Sequence, residues 1–312
     1  MTDQADKLRA LMESRAAADL EEKRLAYENA TPSRVITISA GKNATGKSSL
    51  AINLAIQFVR VGKKCLVIDA DLKNVNTSKL LGTEPEHGLK DMMEGKRAVK
   101  EILIEGPGGI QFISGGAGFS KLLDISDNQK LNTAESNRQI SRFIEKLTLL
   151  DNISDIILID TGAGMQNRIV DFVGASDETI LMITPEADSI TGAYALIKRV
   201  KEQNTDLPEF NIVANRTESM AVGDEIFGKL ERAISKFLHT PLNHVGTLPY
   251  YSNLIKAGKS KRPVMLMYPD SPVATNIENI VTYFTDEENE RNISKAGFKG
   301  FMQKLLIKIN NN

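Results

Sequence analysis

Short runs of apolar residues recur along the chain from Arg34 onward, and longer stretches with helical periodicity separate them. The runs are nearly continuous rather than alternating, which is typical of strands buried on both faces of a sheet. Strands that alternate with helices favour a mostly parallel sheet with helices on both sides. Residues 115–133, rich in Gly and Asn, are predicted to be a loop. The predicted strands include 35–38, 65–68, 110–113, 156–159, 180–183 and 210–213, and the predicted helices include 48–61, 136–150, 189–203 and 223–238.

The composition changes at both ends of the chain. Residues 1–31 are rich in Ala, Leu, Glu and Arg, and this composition fits either a helix or a solvated tail. An acidic hinge begins at residue 286, and residues 291–312 contain five cations and no acid. We therefore predict an N-terminal extension (1–31), one α/β domain (32–285) and a C-terminal hinge and helix (286–312).

A phosphate-binding motif follows the first predicted strand. Residues 41–48 read Gly-Lys-Asn-Ala-Thr-Gly-Lys-Ser, which matches G-x-x-x-x-G-K-[ST], and a helical stretch follows as the motif requires. We expect backbone N–H groups to face the phosphates, Lys47 to neutralise their charge and Ser48 to ligate Mg²⁺. The motif predicts binding of ATP or ADP through Gly41, Lys42, Asn43, Ala44, Thr45, Gly46, Lys47, Ser48 and Ser49.

Carboxylates stand where two of the predicted strands end. Asp69 and Asp71 follow one strand and Asp160 follows another. In an open α/β sheet, ligands bind at the carboxyl ends of the strands, and carboxylates there can hold Mg²⁺. A single Asp after a strand is more often a helix cap, but three of them beside a phosphate loop favour a magnesium–nucleotide site.

These motifs resemble a known family. A lysine directly after the first loop glycine, here Lys42, resembles the deviant Walker A motif of the MinD/ParA class of dimerising ATPases. Residues 160–164 (Asp-Thr-Gly-Ala-Gly), 184–186 (Thr-Pro-Glu) and 193–198 are similar to the FlhG branch, also called FleN or YlxH. The start of the chain resembles the FlhG element that stimulates the GTPase FlhF, through Asp3, Gln4, Ala5, Leu8 and Arg9.

The resemblance implies a single P-loop NTPase domain and a slow, partner-stimulated ATPase. Lys47 would bind phosphates within its own subunit, whereas Lys42 would reach the nucleotide of a second subunit, so that ATP promotes dimerisation. Asp71 would position the attacking water. Asn215, after the last predicted strand, would read the adenine edge, or it is an ordinary turn asparagine. The magnesium ligands would be Ser48, Asp69 and Asp160.

Several departures from the family pattern bear on turnover and dimerisation. Residues 73–74 (Lys-Asn) replace the usual Gly-Leu after the second acid. Asn43 and Ala44 replace two glycines of the loop, and alanine tolerates positive φ poorly. If position 44 needs that geometry, we expect a strained loop and weaker nucleotide binding. Ser78 and Gly192 stand where the family usually has Asp. A scaffold of the same fold that binds ATP without hydrolysing it therefore remains an alternative.

A single apolar stripe at helical spacing ends the chain, and lysines flank it. One interpretation is an amphipathic helix that lies in the plane of an anionic membrane; the other is a helix docked on the protein's own core. The resemblance to the MinD targeting helix favours the membrane. The stripe consists of Phe298, Phe301, Met302, Leu305, Leu306 and Ile309.

The net charge and the cysteine content limit which classes of function fit the sequence. The net charge is −1, so there is no broad basic field for nucleic acid, although the basic run 256–262 keeps a ParA-type DNA-partition ATPase as a weaker alternative. The single cysteine, Cys65, excludes bridging metal clusters within the chain. We expect a cytoplasmic protein that binds the inner face of the cell membrane reversibly and regulates flagellar number or placement. Expected partners are a second copy, an FlhF-type GTPase and flagellar basal-body components.

Overall fold

The apolar runs form one eight-stranded sheet in a computed structural model of the chain, which describes residues 32–71, 77–127, 134–164, 166–286 and 297–311. All six predicted strands are present, and the structure adds two more. The bounds are β1 Arg34–Ala40, β2 Cys65–Ala70, β3 Ile104–Glu105, β4 Gln111–Ser114, β5 Ile156–Thr161, β6 Glu178–Ile183, β7 Glu209–Thr217 and β8 Asn243–Pro249.

The strand order is β3-β4-β2-β5-β1-β6-β7-β8, and every pair is parallel except β3 with β4. Residues 1–31 and 287–296 lie outside the described part of the chain. So do the residues expected to contact the GTPase, which are Asp3, Gln4, Ala5, Leu8 and Arg9.

Helices cover both faces of the sheet, as the strand–helix alternation predicts. Successive strand residues pack on opposite faces: Ile36 and Ile38 belong to the core on one face, and Val35 belongs to the core on the other. The helices are α1 Lys47–Arg60, α2 Thr77–Leu81, α3 Leu89–Met93, α4 Val99–Ile102, α5 Gly116–Asp127, α6 Ala134–Leu147, α7 Asn167–Ala175, α8 Ala187–Gln203, α9 Met220–Leu238, α10 Ser252–Lys259, α11 Val264–Met267, α12 Pro272–Thr285 and α13 Gly297–Asn311.

The loop predicted over 115–133 is wrong for most of that segment, because α5 occupies residues 116–127. Phe119 and Leu122 of this helix are buried in the core. Gly118 permits close packing, since a Cβ on it would lie 2.5 Å from the Cβ of Leu89 in α3. The glycines therefore serve helix–helix contact here rather than a turn.

The apolar stripe of α13 is buried against the protein's own core, so in this structure it is not presented to a membrane. Phe301 stacks on Phe298 at 5.7 Å between ring centroids and contacts Phe172 of α7 at 6.1 Å. Lys304, expected to face lipid headgroups, pairs with Asp177 at 2.6 Å. The buried side chains are those predicted for the membrane: Phe298, Phe301, Met302, Leu305, Leu306 and Ile309.

One carboxylate holds the start of α13. Asp151, in the turn before β5, accepts hydrogen bonds from the backbone N–H of Phe298 at 2.7 Å and of Lys299 at 3.3 Å. It thereby satisfies N–H groups that have no partner within the helix. The same carboxylate also accepts from the backbone N–H of Ser33, at 3.2 Å. Within the described residues, no helix is both long and apolar enough to cross a bilayer.

Candidate nucleotide site

The phosphate loop connects β1 to α1 near the middle of the sheet. Gly46, at φ 99°, turns the chain directly into α1. Ala44 has φ 61°, a left-handed conformation that costs an alanine roughly 1–2 kcal/mol. The phosphate loop of this chain therefore contains an alanine in a strained backbone conformation.

Two carboxylates meet at the carboxyl ends of β2 and β5. Asp69 and Asp160 are directly paired in the register of these strands, and both are buried. The hydroxyl of Thr77, the first residue of α2, donates to Asp160 Oδ2 at 2.7 Å. Ser48 also lies within hydrogen-bonding reach of Asp160. The structure thus brings together all three predicted magnesium ligands.

Unsatisfied oxygens at this point suit a divalent cation. Asp69 Oδ2 and Asp160 Oδ1 are buried and have no hydrogen-bond partner. A buried acceptor left unpaired costs about 1–3 kcal/mol, and Mg²⁺ prefers oxygen ligands of this kind together with phosphate oxygens. The donor set of one hydroxyl and two carboxylates therefore fits Mg²⁺. Among the described residues, no group of three His, Cys, Asp or Glu side chains forms a separate metal site.

The electrostatics of the site follow from its burial. Burial and the neighbouring Asp160 raise the pKa of Asp69 to about 7. Burial likewise raises the pKa of Asp160, although hydrogen bonds from Ser48 and Thr77 oppose the shift. Burial lowers the pKa of Lys47, and the charges of Asp160 and Asp71 act in the other direction. A bound cation would favour the ionised form of both carboxyls.

Asp71 lies at the edge of a small cavity of about 70 Å³. Asn43 of the phosphate loop and Gly162 after β5 also line this cavity. A Cβ on Gly162 would lie 3.6 Å from Asp71 Oδ1, so the glycine leaves room beside the carboxylate. The structure thus places Asp71 close to the phosphate loop.

Lys42 extends from the loop to Asp188 at the start of α8, with 2.8 Å between Nζ and Oδ1. Asp188 is largely exposed, so water competes with this ion pair. Gly192 lies one turn further along α8, and a Cβ on it would sit 2.8 Å from the carbonyl oxygen of Gly41. A side chain at position 192 would therefore crowd the loop, and Lys42 pairs with Asp188, four residues earlier in the chain.

Asn215 braces the phosphate loop. Its Nδ2 donates to the carbonyl oxygen of Thr45 at 2.7 Å, and its Oδ1 accepts from the backbone N–H of Arg216 at 2.9 Å. Both bonds are made within the protein, so the expected reading of an adenine edge is left to the second N–H of the amide and the second lone pair of Oδ1. The side chain still borders a pocket of about 290 Å³ that lies beside Gly46 and Ser49.

This pocket adjoins the loop where a nucleoside would extend from its phosphates. Three residues that line this pocket were not predicted from the sequence. Tyr250 and Tyr251 follow β8, and Arg216 lies at its rim with a left-handed backbone at φ 58°. Their position after strands, at the carboxyl edge of the sheet, could have indicated that they line a ligand pocket. This indication was not available, because β8 was not predicted from the sequence. The pocket is lined by Gly46, Ser49, Leu50, Asn53, Met182, Asn215, Arg216, Leu248, Pro249, Tyr250, Tyr251, Leu254, Ile255, Gly258 and Ile277.

Comparison with known proteins shows which family the chain belongs to. A family model described as an AAA domain (AAA_31) matches residues 33–212. The antiactivator FleN of Pseudomonas aeruginosa is 32% identical over 240 residues, which is 77% of this chain and 82% of FleN. The flagellum site-determining protein YlxH of Helicobacter pylori is 26% identical over 309 residues, covering 98% of this chain and 99% of YlxH.

Solved structures share the fold. The septum site-determining protein MinD of Pyrococcus horikoshii, determined in complex with Mg-ADP, superposes with a TM-score of 0.59 at 20% identity, covering 83% of this chain and 98% of that one. The sheet, the phosphate loop and the sequence relatives agree with one another. The chain belongs to the MinD/ParA family of P-loop ATPases and is similar to its flagellar regulators FleN and YlxH.

Proposed function

We propose that this protein hydrolyses ATP with Mg²⁺, dimerises when ATP is bound and thereby controls flagellar number or placement at the membrane. The observation that carries the proposal is the convergence on one loop of Lys42, Lys47, Ser48, Asp71 and Asp160. The similarity to FleN and YlxH, whose names refer to an antiactivator and to flagellum site determination, supports the flagellar role.

Each set of residues in the nucleotide site has a separate role in the proposed reaction. Loop N–H groups and the N-terminus of α1 bind the phosphates, and Lys47 neutralises their charge. Ser48, Asp69 and Asp160 would hold Mg²⁺, which supplies positive charge to the β- and γ-phosphates when bound. Asp71 orients a water in the adjoining cavity. The pocket between Asn215 and Tyr250 takes the nucleoside.

Lys42 supplies the switch to the dimer. In the single chain it is held by Asp188, an exposed partner that contributes little binding free energy. The γ-phosphate of a second subunit carries more negative charge than a carboxylate, so Lys42 exchanges Asp188 for it when two ATP-bound subunits meet. ADP lacks that phosphate, and hydrolysis therefore weakens the dimer.

Membrane binding requires that α13 leave its groove. Its buried apolar side chains each contribute roughly 1.5–3 kcal/mol to docking, and burial in lipid returns a similar amount. The free energy of docking α13 on the protein and that of burying it in lipid are therefore nearly equal. Two helices on one dimer then favour the membrane through avidity. The first 31 residues would stimulate an FlhF-type GTPase, and basal-body components would bind the ATP-bound dimer.

The deciding experiment measures ATP turnover by the full chain with and without anionic vesicles and an FlhF-type GTPase. We expect slow turnover that either addition stimulates, and we expect Asp71→Ala to abolish turnover while ATP still binds. Retained turnover in this variant would contradict the role of Asp71. Bound ATP with no turnover under any condition would favour the scaffold alternative, which the strained Ala44 supports.

A further inference from the structure

Thr77 stands out because it contacts both metal-facing carboxylates although it belongs to neither strand. Its side chain is fully buried. The hydroxyl donates to Asp160 Oδ2 at 2.7 Å, and the backbone N–H lies within hydrogen-bonding reach of the Asp69 carboxylate. One residue therefore orients two carboxylates on adjacent strands.

The orientation matters for the two oxygens that remain. With Asp160 Oδ2 occupied by Thr77, its buried Oδ1 is left without a partner, and so is the buried Oδ2 of Asp69. Asp69 Oδ1 accepts the backbone N–H of Asp71 at 3.0 Å. Each carboxylate is thus held by one oxygen, and each leaves the other oxygen free beside the phosphate loop.

We propose that Thr77 is a positioning residue for the magnesium site, which holds Asp160 and Asp69 in the orientation that receives the cation. The inference rests on the proposed function, because it assumes Mg²⁺ bound with the nucleotide. Partners that orient metal ligands typically account for 10–100-fold in metal affinity.

The test compares the full chain with three variants. Thr77→Val keeps the shape of the side chain and removes the hydroxyl, whereas Thr77→Ser keeps the hydroxyl. Thr179→Val is the matched control, because Thr179 is equally buried in β6 and its hydroxyl has no hydrogen-bond partner. Calorimetric titration of MgCl₂ into the ADP-saturated protein gives the Mg²⁺ affinity, and titration of ADP in chelator gives the affinity for the nucleotide alone.

We expect Thr77→Val to weaken Mg²⁺ binding by roughly tenfold or more, with the affinity for metal-free ADP changed by less than about twofold. Thr77→Ser and Thr179→Val should bind Mg²⁺ like the parent protein. Unchanged Mg²⁺ affinity in Thr77→Val, or an equal loss in Thr179→Val, would overturn the inference while the proposed function stands. A parent protein that binds neither ADP nor Mg²⁺ would overturn both.

Discussion

Ala44 shows how a single residue can keep a functional geometry at a cost. Among the described residues, four non-glycine positions have positive φ, and Ala44 is the one inside the phosphate loop. The left-handed region brings an alanine Cβ too close to the backbone, whereas glycine enters it freely. The loop therefore adopts this shape with a residue that is less suited to it than glycine.

Replacing Ala44 with Gly should relieve this strain. We expect Ala44→Gly to raise the free energy of unfolding by about 0.5–1 kcal/mol, since the relief exceeds the entropy that glycine adds to the unfolded chain. Asn43→Gly is the matched control, because Asn43 has ordinary backbone geometry and should lose a similar amount. Urea denaturation of both variants checks the signs; a loss in Ala44→Gly would mean that the conformation costs nothing.

At the scale of elements, the contact between α8 and the phosphate loop depends on two glycines that approach backbone to backbone. A Cβ on Gly192 would lie 2.8 Å from the carbonyl oxygen of Gly41, and one on Gly41 would lie 2.1 Å from the carbonyl carbon of Gly192. Backbone atoms cannot move aside as a flexible side chain can. The helix that carries Asp188 is thereby fixed against the loop that carries Lys42.

We expect Gly192→Ala to destabilise the protein by about 1–3 kcal/mol and to weaken nucleotide binding, because α8 must move away from the loop. Gly228→Ala, in α9, is the matched control. Its Cβ would meet only the end of the Arg232 side chain, so helix propensity should stabilise it by up to about 1 kcal/mol. Thermal denaturation and ADP titration measure both effects. Equal behaviour of the two variants would show that the close approach is not restrictive.

Some strands and helices could be predicted from the sequence and others could not, and the reasons are physical. Strands such as β2 and β5 could be predicted, because burial on both faces makes them continuously apolar. The edge strand β8 was missed, since Asn243, His244 and Thr247 interrupt its apolar residues. The periodicity of α13 correctly predicted a one-sided helix, but an apolar stripe does not specify whether lipid or protein covers it.

In the nucleotide site, too, some features could be predicted from the sequence and others could not. Residues adjacent in sequence, such as Lys47 and Ser48, were predicted from the motif. Asp69 and Asp160 are distant in sequence but were predicted to meet, because both stand at the carboxyl ends of strands. Side-chain contacts that depend on helices and loops were not predicted, because a spacing pattern does not specify them. Thr77 with Asp160 and Lys42 with Asp188 are of this kind.

At the scale of the whole molecule, α13 has two opposite faces that should respond differently to the same substitution. Leu305 is fully buried in the docked helix, and Ile307 is 61% exposed. If α13 leaves its groove for a membrane, Leu305 enters the lipid while Ile307 faces the headgroups and solvent.

We expect Leu305→Glu to abolish ATP-dependent sedimentation with anionic vesicles, whereas Ile307→Glu, which adds the same charge to the same helix, should retain most of it. Sedimentation with ATP, with ADP and with uncharged vesicles provides the comparison, and ADP binding without vesicles checks that each variant is folded. Equal loss in both variants would indicate that charge alone, rather than the apolar face, governs binding.

The contacts of Asp151 bear on how a GTPase bound to this protein would reach the membrane. Its carboxylate binds the backbone at Ser33, where the first 31 residues join the domain, and at Phe298, where α13 begins. Ser33 and the start of α13 therefore lie beside the same carboxylate. On the proposed function, a GTPase captured by the N-terminal extension is brought to the place where the membrane helix emerges. Its concentration at the bilayer then rises through tethering alone, and no signal has to cross the sheet.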